Sequence, residues 1–336
     1  MAITQTSTTN FSKFVETLLR KQLEELLRSP LPHMSPGSFV EAKHVKGSNG
    51  TVRFLNIPDL SVVTGAVSAG TPPWLTEGTA PTGEALTFGY EEFTVAQAGR
   101  VVDITDVAEM ENIMDLVDIA VERLARNILA TADQRISDVI LAGTNVIFSD
   151  ATATQVNNST DDLVAADVLQ ARDVRRAVAY LKASNVPTFP DGSYRGIIHP
   201  FVAHDLKTET GDGAWLDVAR YATPESLLNG EIGKFAGVRF IEASSAAWTA
   251  DAGAADVDMY STVIHGPRAW AVGDYNGAHA YVTPPGGQSD PLHQRTRAGW
   301  KSFLGAMLIG EGTNASNVSE PRYIRIESAS SLGENA

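Results

Sequence analysis

Between Val107 and Leu141 apolar side chains return every third or fourth residue: Val107, Met110, Met114, Val117, Val121, Leu124, Ile128, Ala132, Ile136, Val139 and Ile140. That period is helical, and it predicts one amphipathic helix stopped by Gly143. Thr105 or Asp106 offers an N-cap where the strand-like run Val101–Asp106 ends. At 1.5 Å per residue the helix would be about 50 Å long, well above the usual globular length. A rod of that length dictates what surrounds it, since a domain built on it must be flat or elongated.

The segments before the rod are extended. A first amphipathic helix is expected over about 12–28, with Phe14, Leu18, Leu19, Leu23, Leu26 and Leu27 as its stripe, ended by Pro30, Pro32 and Pro36. Thr51–Ile57 alternates like a half-buried strand. From Gly65 to Gly99 the chain turns to Gly, Thr, Ala and Pro, with strand-like runs at Leu86–Tyr90 and Phe93–Ala98. A stretch so poor in apolar residues packs no core of its own, and long loops in compact domains are functional or disordered. Its strand-like flanks predict a two-stranded ribbon reaching away from the body.

After the rod, residues 144–160 are polar and mark a boundary. A second helix is expected from Ser159 or Thr160 to Ala183. Short strands are expected at Tyr194–His199, Val238–Glu242, Met259–His265, Ala269–Val272, Phe303–Ile309 and Tyr323–Glu327. Helices and strands mix without a βαβ rhythm, so the fold class is α+β.

Composition removes whole classes of function. With no cysteine, disulfides, thiolate metal sites and cysteine nucleophiles are excluded. A net charge of −14 argues against wrapping nucleic acid through a basic face, though not against enclosing it. No apolar run approaches the ~20 residues of a membrane span, and the N-terminus lacks signal-peptide character. A soluble chain of a reducing cytoplasm is the expectation.

Catalytic motifs fail on inspection. His199 and His204 lie five apart, not at the i, i+4 spacing of a zinc-protease helix, and His199-Pro200 reads as a strand ending in a turn. Gly230–Gly237 lacks the Ser or Thr that a phosphate loop places after its lysine, since Phe235 follows Lys234. Its glycines read instead as a turn before Val238–Glu242. His293, among Asp290, Arg295 and Arg297, reads as structural. No catalytic, cofactor-binding or metal site is expected. Basic residues gather in two motifs, Gly233–Ser244 and Asp290–Lys301, where Arg239, Arg295, Arg297 and Lys301 are candidates for pairing with acidic partners on neighbouring subunits.

Those two motifs, with Ile197-Ile-His-Pro200, resemble segments of tailed-bacteriophage major capsid proteins, in the branch typified by large lytic podovirus-type phages. The order of parts resembles that fold along nearly the whole chain. The resemblance implies an N-terminal arm (1–40), a first part of the peripheral P domain (41–64), an extended E-loop (65–99) and the P-domain spine helix (100–145). An axial A domain (146–290) follows, then a return to the P domain (291–336) closed by Tyr323–Glu327. It implies self-assembly, as hexamers and pentamers, into an icosahedral shell around a double-stranded DNA genome, with a portal and possible scaffolding or cement proteins as partners. The place implied is the virion capsid, assembled in the host cytoplasm.

Contacts between subunits would be noncovalent or cemented, because no lysine lies from Ser61 through Arg100 to form the E-loop crosslink some members use. Trp74, Leu75, Leu86 and Phe88 are the expected apolar anchors of the E-loop. Three other readings stand beside this one. They are a nanocompartment shell of the same fold, a cytoplasmic oligomeric enzyme with a pocket near His199 or His293, and a surface adhesin, which the missing signal peptide disfavours.

Overall fold

The computed structural model describes residues 32–43, 50–56, 78, 89–111, 115–152, 157–209, 231–274, 279–286, 292–310 and 321–333. Along the chain come strands β1 (Phe39–Lys43), β2 (Thr51–Asn56), β3 (Gly89–Thr94) and β4 (Ala96–Thr105), then helices α1 (Asp106–Glu111) and α2 (Leu116–Leu141). Next are β5 (Val146–Phe148), α3 (Ala171–Ala183), β6 (Tyr194–Ile198) and α4 (Pro200–Thr208). The remaining strands are β7 (Glu231–Phe235), β8 (Val238–Glu242), β9 (Trp248–Thr249), β10 (Met259–His265), β11 (Trp270–Asp274), β12 (His279–Thr283), β13 (Arg295–Leu308) and β14 (Tyr323–Ser328). The helix expected over 12–28 lies outside the described residues.

The rod is shorter than its periodicity implied. Asp115 takes extended backbone and accepts from the amides of Val117 (3.0 Å) and Asp118 (3.2 Å), so α2 starts there as a freshly capped helix. A short acid that satisfies the first-turn amides favours a helix start over helix interior. The preceding α1 buries nothing: Val107 is 56% and Met110 82% exposed. Thr105 caps α1 as expected, accepting from Ala108 N at 3.3 Å.

Two sheets meet along α2. The first has the order β1-β11-β13-β12, with β4 also paired to β13. Strand β13 is its axis, bonding β4 from Arg295 to Leu304 on one edge, and β12 then β11 on the other. Ala120, Leu124 and Ile128 of α2 pack on its Ile104, Ala298 and Trp300. The second sheet runs β5-β14-β10-β6-β8-β7, with β9 on β10. Ile136 and Ile140 of α2 reach Trp270, Ala306 and Leu308 of the first sheet and Ile197, Val263 and Tyr323 of the second, in one cluster. On the other side of the second sheet, α3 and α4 pack Val174, Val178, Leu181 and Val202 against Tyr194, Phe240, Ile324 and Ile326. Covered on both faces, β10 and β14 are buried at every position.

The strand Tyr323–Ser328 pairs with β10 and β5 in the second sheet. Strands β11 and β12 belong to the first sheet. One further expectation is corrected. The helix expected from Ser159 is only a 3-10 turn at Thr160–Asp162, and α3 begins at Ala171. Between them buried Asp167 binds the amides of Ala151 and Val164 and the side chain of Asn157, a set of polar contacts that holds the segment as loop.

The C-terminal end of α2 is closed by a strand residue. Buried Arg325 of β14 donates Nη1 to the carbonyls of Leu141 and Ile140 and Nη2 to that of Gly143. It also pairs with buried Glu327 at 3.1 Å, whose other oxygen accepts from Thr160 Oγ1 at 2.6 Å. A cation suits the negative end of a helix and its orphan carbonyls. Removing it leaves Glu327 buried without its cation. Arg325→Ala is expected to cost about 3 kcal/mol or more, read as a drop in the denaturant midpoint.

Candidate assembly surface

Alternation along β13 sorts its side chains cleanly. Ala298, Trp300, Ala306 and Leu308 face α2, while Arg295, Arg297, Gly299, Lys301, Phe303, Gly305 and Met307 share the outer face. Part of that outer face is covered by the chain itself. Strands β2 and β3 form a separate two-stranded antiparallel ribbon; most of the 65–99 segment expected to reach away from the body lies outside the described residues. Its inner residues Val52, Phe54 and Phe93 pack on Ala271, Met307 and Ile309. Glu91, also buried, accepts from Gly310 N at 3.3 Å, and Val95 N donates to Gly50 O at 2.8 Å. Toward solvent, Arg53 pairs with Glu92 (2.7 Å) and lies 5.0 Å from the Tyr90 ring centroid.

The rest of the outer face is open. Val101 and Tyr281 stand in register on either side of Gly299, 63% and 56% exposed. Beside them Asp103 pairs with Arg297 at 3.1 Å and Arg295 at 3.9 Å. Lys301 sits 5.6 Å from the Phe303 ring centroid on the same face. The structure therefore brings Arg295, Arg297 and Lys301 together, and leaves Arg239 elsewhere, on the second sheet, 3.1 Å from Asp191. Although burial works to raise it, Asp191 is held below the usual carboxylate range by Ser193 and the nearby arginines. Trp74, Leu75, Leu86 and Phe88 lie outside the described residues.

Both histidine loci make local structural bonds. His199 caps α4, accepting from Phe201 N at 3.3 Å, and burial lowers its pKa. His293 takes a positive φ and donates Nδ1–H to the Pro285 carbonyl at 3.0 Å. The glycine-rich 230–237 segment is a hairpin: Ala236 and Gly237, both at positive φ, turn β7 into β8. Among the described residues no group of three or more His, Asp or Glu is placed to hold a metal ion, and no helix is long and apolar enough to cross a membrane.

Sequence reasoning missed Val101, Tyr281 and the buried root of the N-terminal segment. At that root His33 binds Asp133 of α2 through its amide (3.2 Å) and its ring (3.0 Å), and its carbonyl accepts from Trp270 Nε1 at 2.9 Å. Nothing in the spacing of two residues a hundred apart signals such a bond.

With this geometry established, known proteins supply the comparison. Residues 89–308, more than half the chain, match the phage capsid protein family. The fold is similar to the capsid of Ralstonia phage GP4, at 14% identity over 87% of each chain with a TM-score of 0.63. It is similar also to the cyanophage Pam1 capsid, at 15% identity over 85% of this chain and 87% of that one, TM-score 0.61. The head structure of Helicobacter pylori bacteriophage KHP40 matches at 13% identity over 89% and 90%, TM-score 0.57. No curated protein sequence matches the chain. The chain belongs to the phage capsid protein family, and it is a major capsid protein.

One buried group gives the subunit a pH limit. His265, fully enclosed beside Trp270 (ring centroids 4.6 Å apart) and donating Nδ1–H to the Gly266 carbonyl, has its pKa lowered to about 4 by burial, with His33 and Arg195 adding to the effect. The unfolded imidazole takes up a proton near pH 6.5, which the folded one refuses until about 4. Stability therefore falls as pH drops through that window, by on the order of 3 kcal/mol. Urea midpoints measured from pH 7 to 4 are expected to fall less steeply in His265→Leu than in the wild type.

Proposed function

We propose that the subunits close a shell by laying the segment between β2 and β3, the E-loop, across the outer face of a neighbour's first sheet. The observation that carries this reading is the half-covered face itself. The chain's own ribbon root occupies one end, and the adjoining strip presents Val101 and Tyr281 with a charged rim. Exposed aromatic and aliphatic groups ringed by arginines are the composition of an interface centre. Trp74, Leu75, Leu86 and Phe88 are the anchors assigned to the incoming loop, and Arg295, Arg297 and Lys301 its polar frame.

Contacts of this kind are heterologous: one patch meets a different patch on the next copy, so rings form when the rotation closes. Hexamers and pentamers of such rings make the icosahedral shell, in the virion, around double-stranded DNA. An acidic chain encloses that genome without gripping it, since phosphate binding draws on basic surface. Subunits assemble in the host cytoplasm, with a portal and a scaffolding or cement protein as partners. Arg239 is assigned to a separate contact through the second sheet.

Electron microscopy of the full-length chain, expressed alone and purified by size exclusion, tests the reading. Closed shells or rings are expected; a homogeneous dimer or tetramer that stays unassembled at high concentration overturns it. Replacing Trp74 and Leu75 together by alanine is expected to abolish closed particles while the subunit stays folded. Arg297→Ala is expected to change subunit stability by less than about 1 kcal/mol, because its pair with Asp103 is exposed, yet to lower shell yield.

A further inference from the structure

We infer that Phe93, seated between Gly273 and Gly305, is the joint that sets the direction in which the ribbon leaves the body, and through it the curvature of the shell. Gly273 and Gly305 face each other in register on β11 and β13. Neither has the left-handed backbone that would call for glycine. Glycine inside a strand weakens it and marks a place where another group comes close. Here the group is the Phe93 ring. A Cβ on Gly273 would stand 2.7 Å from Phe93 Cε2, 2.8 Å from Cζ and 2.9 Å from Val95 Cγ2, and one on Gly305 would stand 2.9 Å from Phe93 Cε2. The two glycines are a socket that the ring fills and Val95 borders.

The socket acts on a lever. Phe93 is paired with Val52 and stacks on Phe54, ring centroids 6.2 Å apart and planes 10° apart, so the ring carries both strands of the ribbon. Glu91, on the same face, holds Gly310 N beside the socket. Whatever the chain carries between Asn56 and Gly89 is held by this root, so a turn of the root redirects it. Close-packed contacts move such a root between discrete seats rather than letting it slide.

This inference rests on the E-loop reading, and the two fail separately. Gly273→Ala, Gly305→Ala, Phe93→Leu with and without Val95→Ala, and the combinations are expressed as full-length chains, and particle diameters are measured by electron microscopy beside the melting curves of the subunits. Both alanine variants are expected to fold and to give particles of shifted diameter, or open sheets. Leucine lacks the Cε2 and Cζ atoms that collide with a Cβ at 273, and alanine at 95 lacks the Cγ2 that the same Cβ meets at 2.9 Å, so Phe93→Leu together with Val95→Ala restores wild-type diameter to Gly273→Ala. It does not restore Gly305→Ala, whose Cβ also meets the Thr94 carbonyl at 2.9 Å.

Wild-type diameters in both alanine variants, or a shifted Gly273→Ala that Phe93→Leu with Val95→Ala leaves unchanged, overturn the joint. Where the alanine variants do not fold, Phe93→Leu alone decides: a broadened spread of diameters supports the joint and a wild-type spread overturns it. Normal shells from the Trp74 and Leu75 double variant remove the E-loop reading instead. Loss of shells in that variant, with insensitive glycines, removes only the socket.

Discussion

Burial of one side of a single helix holds the two sheets in one body. The first half of α2 lies on the first sheet through Leu124 and Ile128, and its last turns wedge Ile136 and Ile140 between both sheets. Each fully buried aliphatic of this kind is worth about 1.5–3 kcal/mol, and none of it is available unless the two sheets sit together. The polar ends of the same helix are tied just as firmly, by Asp115 at its start and Arg325 at its finish. Trp270, fully buried, joins this junction to the N-terminal segment through its bond to the His33 carbonyl.

A rigid junction leaves the surfaces free to specialise. Part of the charge on the open face is matched within the chain, where Asp103 sits against Arg295 and Arg297 while Lys301 lies beside the Phe303 ring. Charge at a contact favours register and orientation over raw attraction. The apolar strip between the charges, Val101 and Tyr281, is narrow because Gly299 keeps the strand between them low.

What the sequence made legible follows from where the physics is local. The hairpin turn at Ala236-Gly237 and the cap at Thr105 are decided by neighbours in the chain, and each stands where it was expected. His199, read as a strand ending in a turn, instead caps a helix that was not expected. Periodicity carried the rod too far because Val107 and Met110 match the helical period without a partner to bury them. The allotment of strands to sheets was not readable, since β14 pairs with β10 and β5 through contacts far apart in sequence. Of the candidate site, the arginines were visible as a cluster in one motif. Tyr281 and Val101 were not, because only the register of β12 and β4 on β13 sets them side by side. The clue to the Phe93 seat was present in part, a glycine inside the run Phe303–Ile309 and another just after Ala269–Val272, but a glycine says that something comes close without saying what.

The path of the backbone from ribbon to body decides how the subunit bears load. Strand β3 runs through Val95 directly into β4, and β4 is bonded to β13 along ten consecutive residue pairs. Those bonds lie across the strand direction. A pull on the ribbon therefore acts along the ladder, and its rungs share the force in shear instead of parting one after another from an end. A load on the ribbon is delivered to the longest strand of the first sheet and, through Trp300 and Leu308, to α2 behind it. The same continuity makes the subunit strongest along the line in which the ribbon joins the body.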